Sequence, residues 1–162
     1  NTLLTDVTEQ PTQRPKKKKA RKSYYSGKKK RHTQKTEITM STNGKIIDVS
    51  KCIAGSVHDI TIRRNGNPLP PDADKYGDLG YQGWQKESSN VHLPHKKPKK
   101  GQLTDQQRQE NKDHSKIRIA VEHQFARLKK FRILGETYRN FRKKHNLRFN
   151  IIAGIVNLQA GF

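Results

Sequence analysis

The chain has 162 residues, enough for one domain rather than two, and carries 35 Lys and Arg against 14 Asp and Glu, a formal charge of +21. Only 30% of it is hydrophobic, well under the roughly 45–50% of an ordinary globular domain, which excludes a core of average size unless a partner supplies part of the burial. No apolar run approaches the ~18 residues of a membrane span, no charged-then-apolar leader points to secretion, and Cys52, the single cysteine, excludes an internal disulfide and a Cys-based zinc finger.

Thr2 to Thr8 reads as a short strand. Lys16 to Lys22 and Lys28 to Arg31 are basic runs that cannot form a core, and they are expected to be mobile or surface arms. Gln34 to Met40 alternates, with Thr36, Ile38 and Met40 on one face. Asn43-Gly44 follows, a hairpin turn in which both residues tolerate positive φ, and Lys45 to Ile53 returns as its partner strand. A short helix is expected near Val57 to Arg63, then a Pro-rich loop over Asn65 to Pro71. Asp72 to Asp78 takes the place of a strand although its apolar content is poor, and Val91 to Leu93 is a further short strand. Lys96 to Lys100 is a basic loop.

Thr104 and Gln107 have capping-box spacing and open a long helix that runs through Glu122 and stops before Gly135. At about 100° per residue, Ile117, Val121, Phe125, Leu128 and Phe131 share its apolar face. A last helix spans about Leu147 to Leu158, with Ile151, Ile152, Ile155 and Leu158 near one stripe. The order predicts a mixed α/β domain. The chain begins at Asn1 rather than Met, which reads as a fragment, a processed product or one piece of a split protein.

In so basic a chain the few acids should stand where a cation or a cap needs them. Asp6 lies within the first strand, Asp78 at the end of a strand before Gly80, and Glu122 at the edge of the long helix's apolar face. From such places three carboxylates can converge on divalent cations, which activate an attacking water or hydroxyl and stabilise a leaving oxygen. Each acid also has a plainer role open to it. Asp6 can be a strand-end residue, Asp78 a cap on the Gly-rich turn, and Glu122 an exposed partner of Arg118. Asp59, three residues after Ser56, is expected to serve in helix capping. His92 and His95 offer too few ligands for a four-ligand zinc site.

The charge calls for a polyanionic partner, nucleic acid ahead of a membrane surface. Candidate phosphate contacts are Lys16, Lys17, Lys18, Lys19, Lys28, Lys29, Lys30, Arg31, Arg118, Lys129, Lys130 and Arg132, with the Lys96 to Lys100 loop adding to them. Tyr24 and Tyr25 stand beside the basic runs and can stack on unpaired bases. Tyr138 and Phe141 are expected to pack in the core.

Thr5-Asp6-Val7-Thr8-Glu9 and Tyr24-Tyr25-Ser26-Gly27-Lys28-Lys29-Lys30 resemble the opening of the catalytic domain of DDE transposases of bacterial insertion sequences, in the branch related to Harbinger elements. Gly55-Ser56-Val57-His58-Asp59, Gly77-Asp78-Leu79-Gly80-Tyr81-Gln82-Gly83 and Val121-Glu122-His123 extend the resemblance. Arg127-Leu128-Lys129, Phe131-Arg132-Ile133-Leu134 and the run from Leu147 to Ile155 complete it in family order across nearly all 162 residues.

The resemblance implies an RNase-H-like fold, a mixed sheet flanked by helices, with residues 1–162 as a single catalytic domain. It assigns the three acidic ligands to Asp6, Asp78 and Glu122, which hold two Mg²⁺ ions (Mn²⁺ as substitute). The implied activity is nicking of the element's ends and transfer of the freed 3′ hydroxyl to target DNA. The implied partners are element ends, target DNA and further copies on DNA, in the cytoplasm at the nucleoid and with no membrane.

The chain departs from the pattern in three places. The helical DNA-binding region that precedes the catalytic domain in the family is absent from this sequence, so a separate N-terminal chain is a possible partner. The strand before Asp78 reads Asp74-Lys75-Tyr76-Gly77 instead of an apolar run, which makes Asp74 the alternative ligand. Ala126 stands where a glycine is common. Two other readings remain at this stage, a non-catalytic DNA-binding remnant of a transposase and a stand-alone RNase-H-like nuclease.

Overall fold

The structure, a computed structural model, describes residues 1–162. Its elements in chain order are β1 (Thr2–Pro11), α1 (Lys18–Tyr24), β2 (Tyr25–Ser26), β3 (Arg31–Ser41), β4 (Ile46–Val49), β5 (Ile53–Ala54), α2 (Asp59–Arg64), β6 (Asp74–Tyr76), β7 (Val91–His92), α3 (Asp105–Lys130), α4 (Arg132–Gly135) and α5 (His145–Gln159). The seven strands form one mixed sheet in the order β2-β3-β1-β6-β7, with β4 and β5 also paired to β3. β1 and β3 are antiparallel over their whole length, whereas β1–β6 and β6–β7 are parallel. With helices against both faces, this is the RNase-H-like architecture that the sequence implies.

The sheet has two chemically different faces, and period-two alternation sets them. Leu4, Asp6, Thr8 and Gln10 pair with Met40, Ile38, Thr36 and Gln34. This face meets α3 and α5, where Leu4, Ile38 and Met40 join Val121, Leu128, Phe149, Ile152 and Val156 in the core. Val7 and Glu9, on the other face, pair with Glu37 and Lys35, and there Lys35 and Glu37 meet Asp59 and Arg63 of α2.

The hairpin forms as expected: Gly44 has φ +97° and sits so close to the Gln124 amide that a Cβ would come within 2.9 Å of Nε2. The returning segment is broken into two short strands. Ser50 is drawn to β3 between them, where its Oγ accepts the Glu37 N–H at 2.8 Å. The Thr104–Gln107 capping box is complete, with bonds of 3.2 and 3.1 Å in the two directions. Val121 and Leu128 are buried, with Ile117, Phe125 and Phe131 packed beside them.

The Lys16–Lys22 run lies on the surface as expected, with Lys18 to Lys22 forming most of α1, a helix with no buried residue. Two expectations are corrected. Phe141 is 75% exposed, although Tyr138 is buried as expected. On α5 the buried residues are His145, Phe149, Ile152, Ala153 and Val156, so of the expected stripe Ile152 is covered while Ile151, Ile155 and Leu158, with Leu147, face outward. That helix is apolar on both sides, so its periodicity does not single out the core stripe.

The polar strand β6 packs by satisfying its own charge. Lys75 is fully buried, and its Nζ donates to the carbonyls of Ala73 (2.8 Å), Pro71 (3.2 Å) and Ser89 (3.2 Å). Spreading the ammonium over three carbonyls offsets its desolvation. At the sheet centre, Ile38→Ala is expected to lower unfolding free energy by about 2–5 kcal/mol, read from urea denaturation. A loss below about 1 kcal/mol would show that β3 is not the packed centre.

Candidate active site

Parallel register brings the first two acids together. Leu4 is opposite Tyr76 across the β1–β6 pair. Two residues further along each chain stand Asp6, still within β1, and Asp78, two residues beyond the end of β6, close enough for the Asp78 charge to act on Asp6. Alternation turns Asp6 to the α3 face with Leu4. Asp74 is opposite Thr2 at the other end of β6 and pairs with His92 at 2.9 Å. It is therefore the acid farther from Asp6.

Asp6 is only 16% exposed at its side chain. Its Oδ1 accepts the Val7 N–H at 2.8 Å, and its Oδ2 accepts from Arg118 Nη2 of α3 at 2.6 Å. Burial raises the Asp6 carboxyl, Arg118 pulls it down and the neighbouring Asp78 charge raises it, which together leave it at about 6. Asp78 leads into a short 3₁₀ turn over Leu79–Tyr81 and caps it, its Oδ1 accepting the Gly80 N–H at 2.7 Å. The capping role is therefore real, and no bond is recorded to its other oxygen.

Glu122 is exposed on α3. On the helical wheel it falls within about 40° of both Arg118 and Lys129. Both of those side chains belong to the Asp6 neighbourhood, Arg118 by its hydrogen bond and Lys129 by its electrostatic pull toward Asp6. Arg118 does not pair with Glu122; its carboxylate partner is Asp6. No group of three or more His, Cys, Asp or Glu side chains stands close enough together to hold a metal ion. Like charges separate unless a cation draws them in, and here the Arg118 guanidinium and the Val7 amide serve Asp6 while the Gly80 amide serves Asp78.

The donors nevertheless fit a hard divalent cation: carboxylate oxygens only, one of them a buried group destabilised by its acidic neighbour. Basic residues border the same place. Lys29, exposed in the turn between β2 and β3, lies near enough to Lys129 to help burial lower the Lys129 ammonium. Lys16, Lys17, Lys18, Lys19, Lys28, Lys30, Arg31, Lys130 and Arg132 are all exposed. Tyr24 lies beneath the Arg142 guanidinium, 4.4 Å from ring centre to Cζ, so base stacking there would have to displace Arg142.

Asp59 is not a cap, and Ser56 makes no capping bond; the helix begins after His58. Asp59 instead accepts from Lys35 Nζ at 2.9 Å. His95 pairs with Glu110 at 2.5 Å and His92 with Asp74 at 2.9 Å. Residue-by-residue reading missed the buried set Glu37, Arg63 and Tyr81 behind Asp78. The available signal was an acid in the middle of an alternating strand, beside Ile38, in a chain poor in acids.

The fold is RNase-H-like, with Asp6 on β1 and Asp78 just beyond β6 brought together and Lys129 near Asp6. Residues 5–157 match the family model described as DDE superfamily endonuclease, and the chain belongs to that family. It is 37% identical over 160 residues to a probable transposase for insertion sequence element IS702 from Microchaete diplosiphon. That alignment takes in 98% of this chain and 57% of the relative, so the chain spans little more than half of that protein's length. No solved structure matches.

Arg118→Met is expected to move the Asp6 titration midpoint above its value of about 6, because the guanidinium is the strongest influence opposing burial. Carboxyl ¹³C shifts followed against pH report it, and an unmoved midpoint would mean that the ion pair does not form in solution. Neutralising Lys16 to Lys19 should weaken binding to unrelated duplexes equally. It should also flatten the slope of log affinity against log salt by at most about 4 units, at ~0.9 per phosphate contact. Parallel slopes for the native and neutralised chains would remove this run from the DNA contacts.

Proposed function

We propose that this chain is the catalytic part of a DNA transposase, with Asp6, Asp78 and Glu122 as the residues that hold divalent cations, Mg²⁺ or Mn²⁺. The observation that carries this reading is the parallel register that sets Asp6 beside Asp78, with the Arg118–Glu122–Lys129 stripe of α3 alongside. Family membership and the transposase relative support the same reading. The fold has no helix long and apolar enough to cross a membrane. The proposed place of action is DNA in the cytoplasm, with further copies assembled on it and recognition of the element ends assigned to another region or chain.

When bound, the cations would lower the pKa of the attacking water or 3′ hydroxyl and stabilise the leaving oxygen. The protein's own groups have separate tasks. Asp78, fixed by its bond to the Gly80 amide, presents an oriented carboxylate. Arg118 holds Asp6 in place, and its guanidinium would be available to hold a phosphate if Asp6 were engaged by a cation. Lys29 and Lys129 add positive charge where the phosphate's negative charge develops.

The Arg118–Asp6 ion pair also suits a second reading, in which the chain binds DNA without cutting it and Arg118 permanently replaces the cation. Plasmid nicking separates the two. The catalytic reading expects nicking with Mg²⁺ or Mn²⁺ and none with Ca²⁺ or chelator. It expects Asp78→Asn to abolish nicking while duplex affinity holds or rises, since a charge that repels phosphate is removed. An Asp78→Asn chain that nicks at the native rate would end the assignment.

A further inference from the structure

Behind Asp78, on the opposite face of the sheet, lies a buried polar chain that the proposed chemistry does not use directly. The turn that begins at Asp78 ends at Tyr81, whose side chain is wholly buried. Its hydroxyl donates to Glu37 Oε2 at 3.0 Å, and Arg63 Nη1 of α2 donates to Glu37 Oε1 at 2.7 Å. Glu37 is 1% exposed and lies on β3, next to Ile38, the residue paired with Asp6. Burial and the Glu37, Asp6 and Asp59 charges all push the Tyr81 phenol upward, so the hydroxyl lies among these acids and keeps its proton.

The turn is also held from α2. A Cβ placed on Gly80 would come within 2.5 Å of Asp59 Oδ2 and 2.9 Å of Asp78 Oδ1. Only a residue without a side chain lets the Asp59 and Asp78 carboxylates close over the turn. Lys35 Nζ in turn holds Asp59 through its Oδ1 at 2.9 Å and the Val57 carbonyl at 2.8 Å.

A buried acid and guanidinium are seldom a net gain in stability over apolar residues of the same volume, because both must be stripped of water. They do fix geometry, since each bond has one direction and one length. Here they tie the Asp78 turn to β3, the strand whose register with β1 also places Asp6.

We propose that Tyr81 is a positioning residue for Asp78, and that the Tyr81–Glu37–Arg63 chain sets the separation of the Asp6 and Asp78 carboxylates for cation binding. This rests on the reading of Asp6 and Asp78 as cation ligands. Tyr81→Phe removes the hydroxyl and leaves the ring in place. It therefore loosens the turn without opening a cavity.

The test is Mn²⁺ binding to the full chain without DNA, measured by loss of the free Mn²⁺ paramagnetic resonance signal, alongside duplex affinity and melting temperature. Tyr81→Phe is expected to weaken Mn²⁺ binding by about 10–100-fold, the usual effect of losing a group that orients a ligand, with duplex affinity unchanged. Gly80→Ala pushes on the same turn from outside the buried network. It is expected to show the same loss, and it carries the test if Tyr81→Phe does not fold. A folded Tyr81→Phe or Gly80→Ala chain that binds Mn²⁺ like the native chain, while Asp78→Asn loses binding, would overturn this inference and leave the catalytic reading standing. A native chain that binds no Mn²⁺ would overturn both.

Discussion

Two neighbouring carboxylates, Asp6 largely buried within β1 and Asp78 just beyond the end of β6, repel each other and need compensating positive charge. Much of the local design follows from that need. Asp6 and Asp78 share one level because β1 and β6 run parallel, and parallel pairing requires the chain to cross over between them. The crossover contains α2, which covers the second face of the sheet. α3 lies across the first face and carries Arg118 to Asp6 at 2.6 Å. Compensation by a long, flexible side chain leaves the position exchangeable, whereas a lysine or arginine locked by several partners would not.

The same chain shows how a sequence that is only 30% hydrophobic builds a sheet. Apolar side chains are concentrated under α3 and α5, around Leu4, Ile38 and Met40. Beyond them the two central strands bury Thr8, Gln10, Thr33, Gln34 and Thr36. Gln10 uses its amide to hold the carbonyls of Ile133 and Glu136 at 2.7 and 2.8 Å, which joins β1 to the end of the α3–α4 segment. His145 completes the cluster by bonding Gln10 at 2.8 Å, and burial pushes its imidazole down to about 4 so that it stays neutral. Directional bonds centred on Gln10 thus extend the core where apolar volume runs out, while the Thr8 and Thr36 hydroxyls are buried without a partner.

What could be read from the sequence was whatever depends on neighbours in the chain. The Asn43-Gly44 turn, the Thr104–Gln107 capping box and the Val121–Leu128 stripe are local patterns with local causes. The acids Asp6, Asp78 and Glu122 stood out by position and by resemblance, and register explains why the first two meet. The face of α5 was misjudged because Ile151 and Ile152 are equally apolar and only the sheet decides which is covered. Lys75 in a strand looked like a packing fault until the carbonyls of Pro71, Ala73 and Ser89 came round it. Glu37, Arg63 and Tyr81 are far apart in the chain, and no periodicity links partners that meet only across a folded sheet.

The parallel register of β1 and β6 divides the chain into places that tolerate changes of length and places that do not. In the connection after α2, Asn67 is bonded to Asp48 and the Pro71 and Ala73 carbonyls hold Lys75, so only the stretch from Pro68 to Pro70 is left to bridge fixed points, where doubling a loop costs about 0.6 kcal/mol. Related chains can therefore acquire insertions there without disturbing the acids. One residue added between Tyr76 and Asp78 would turn the second carboxylate to the opposite face, since side chains alternate along the strand. Deletions and insertions among relatives should accordingly gather in the crossover and avoid the few residues that lead into each acid.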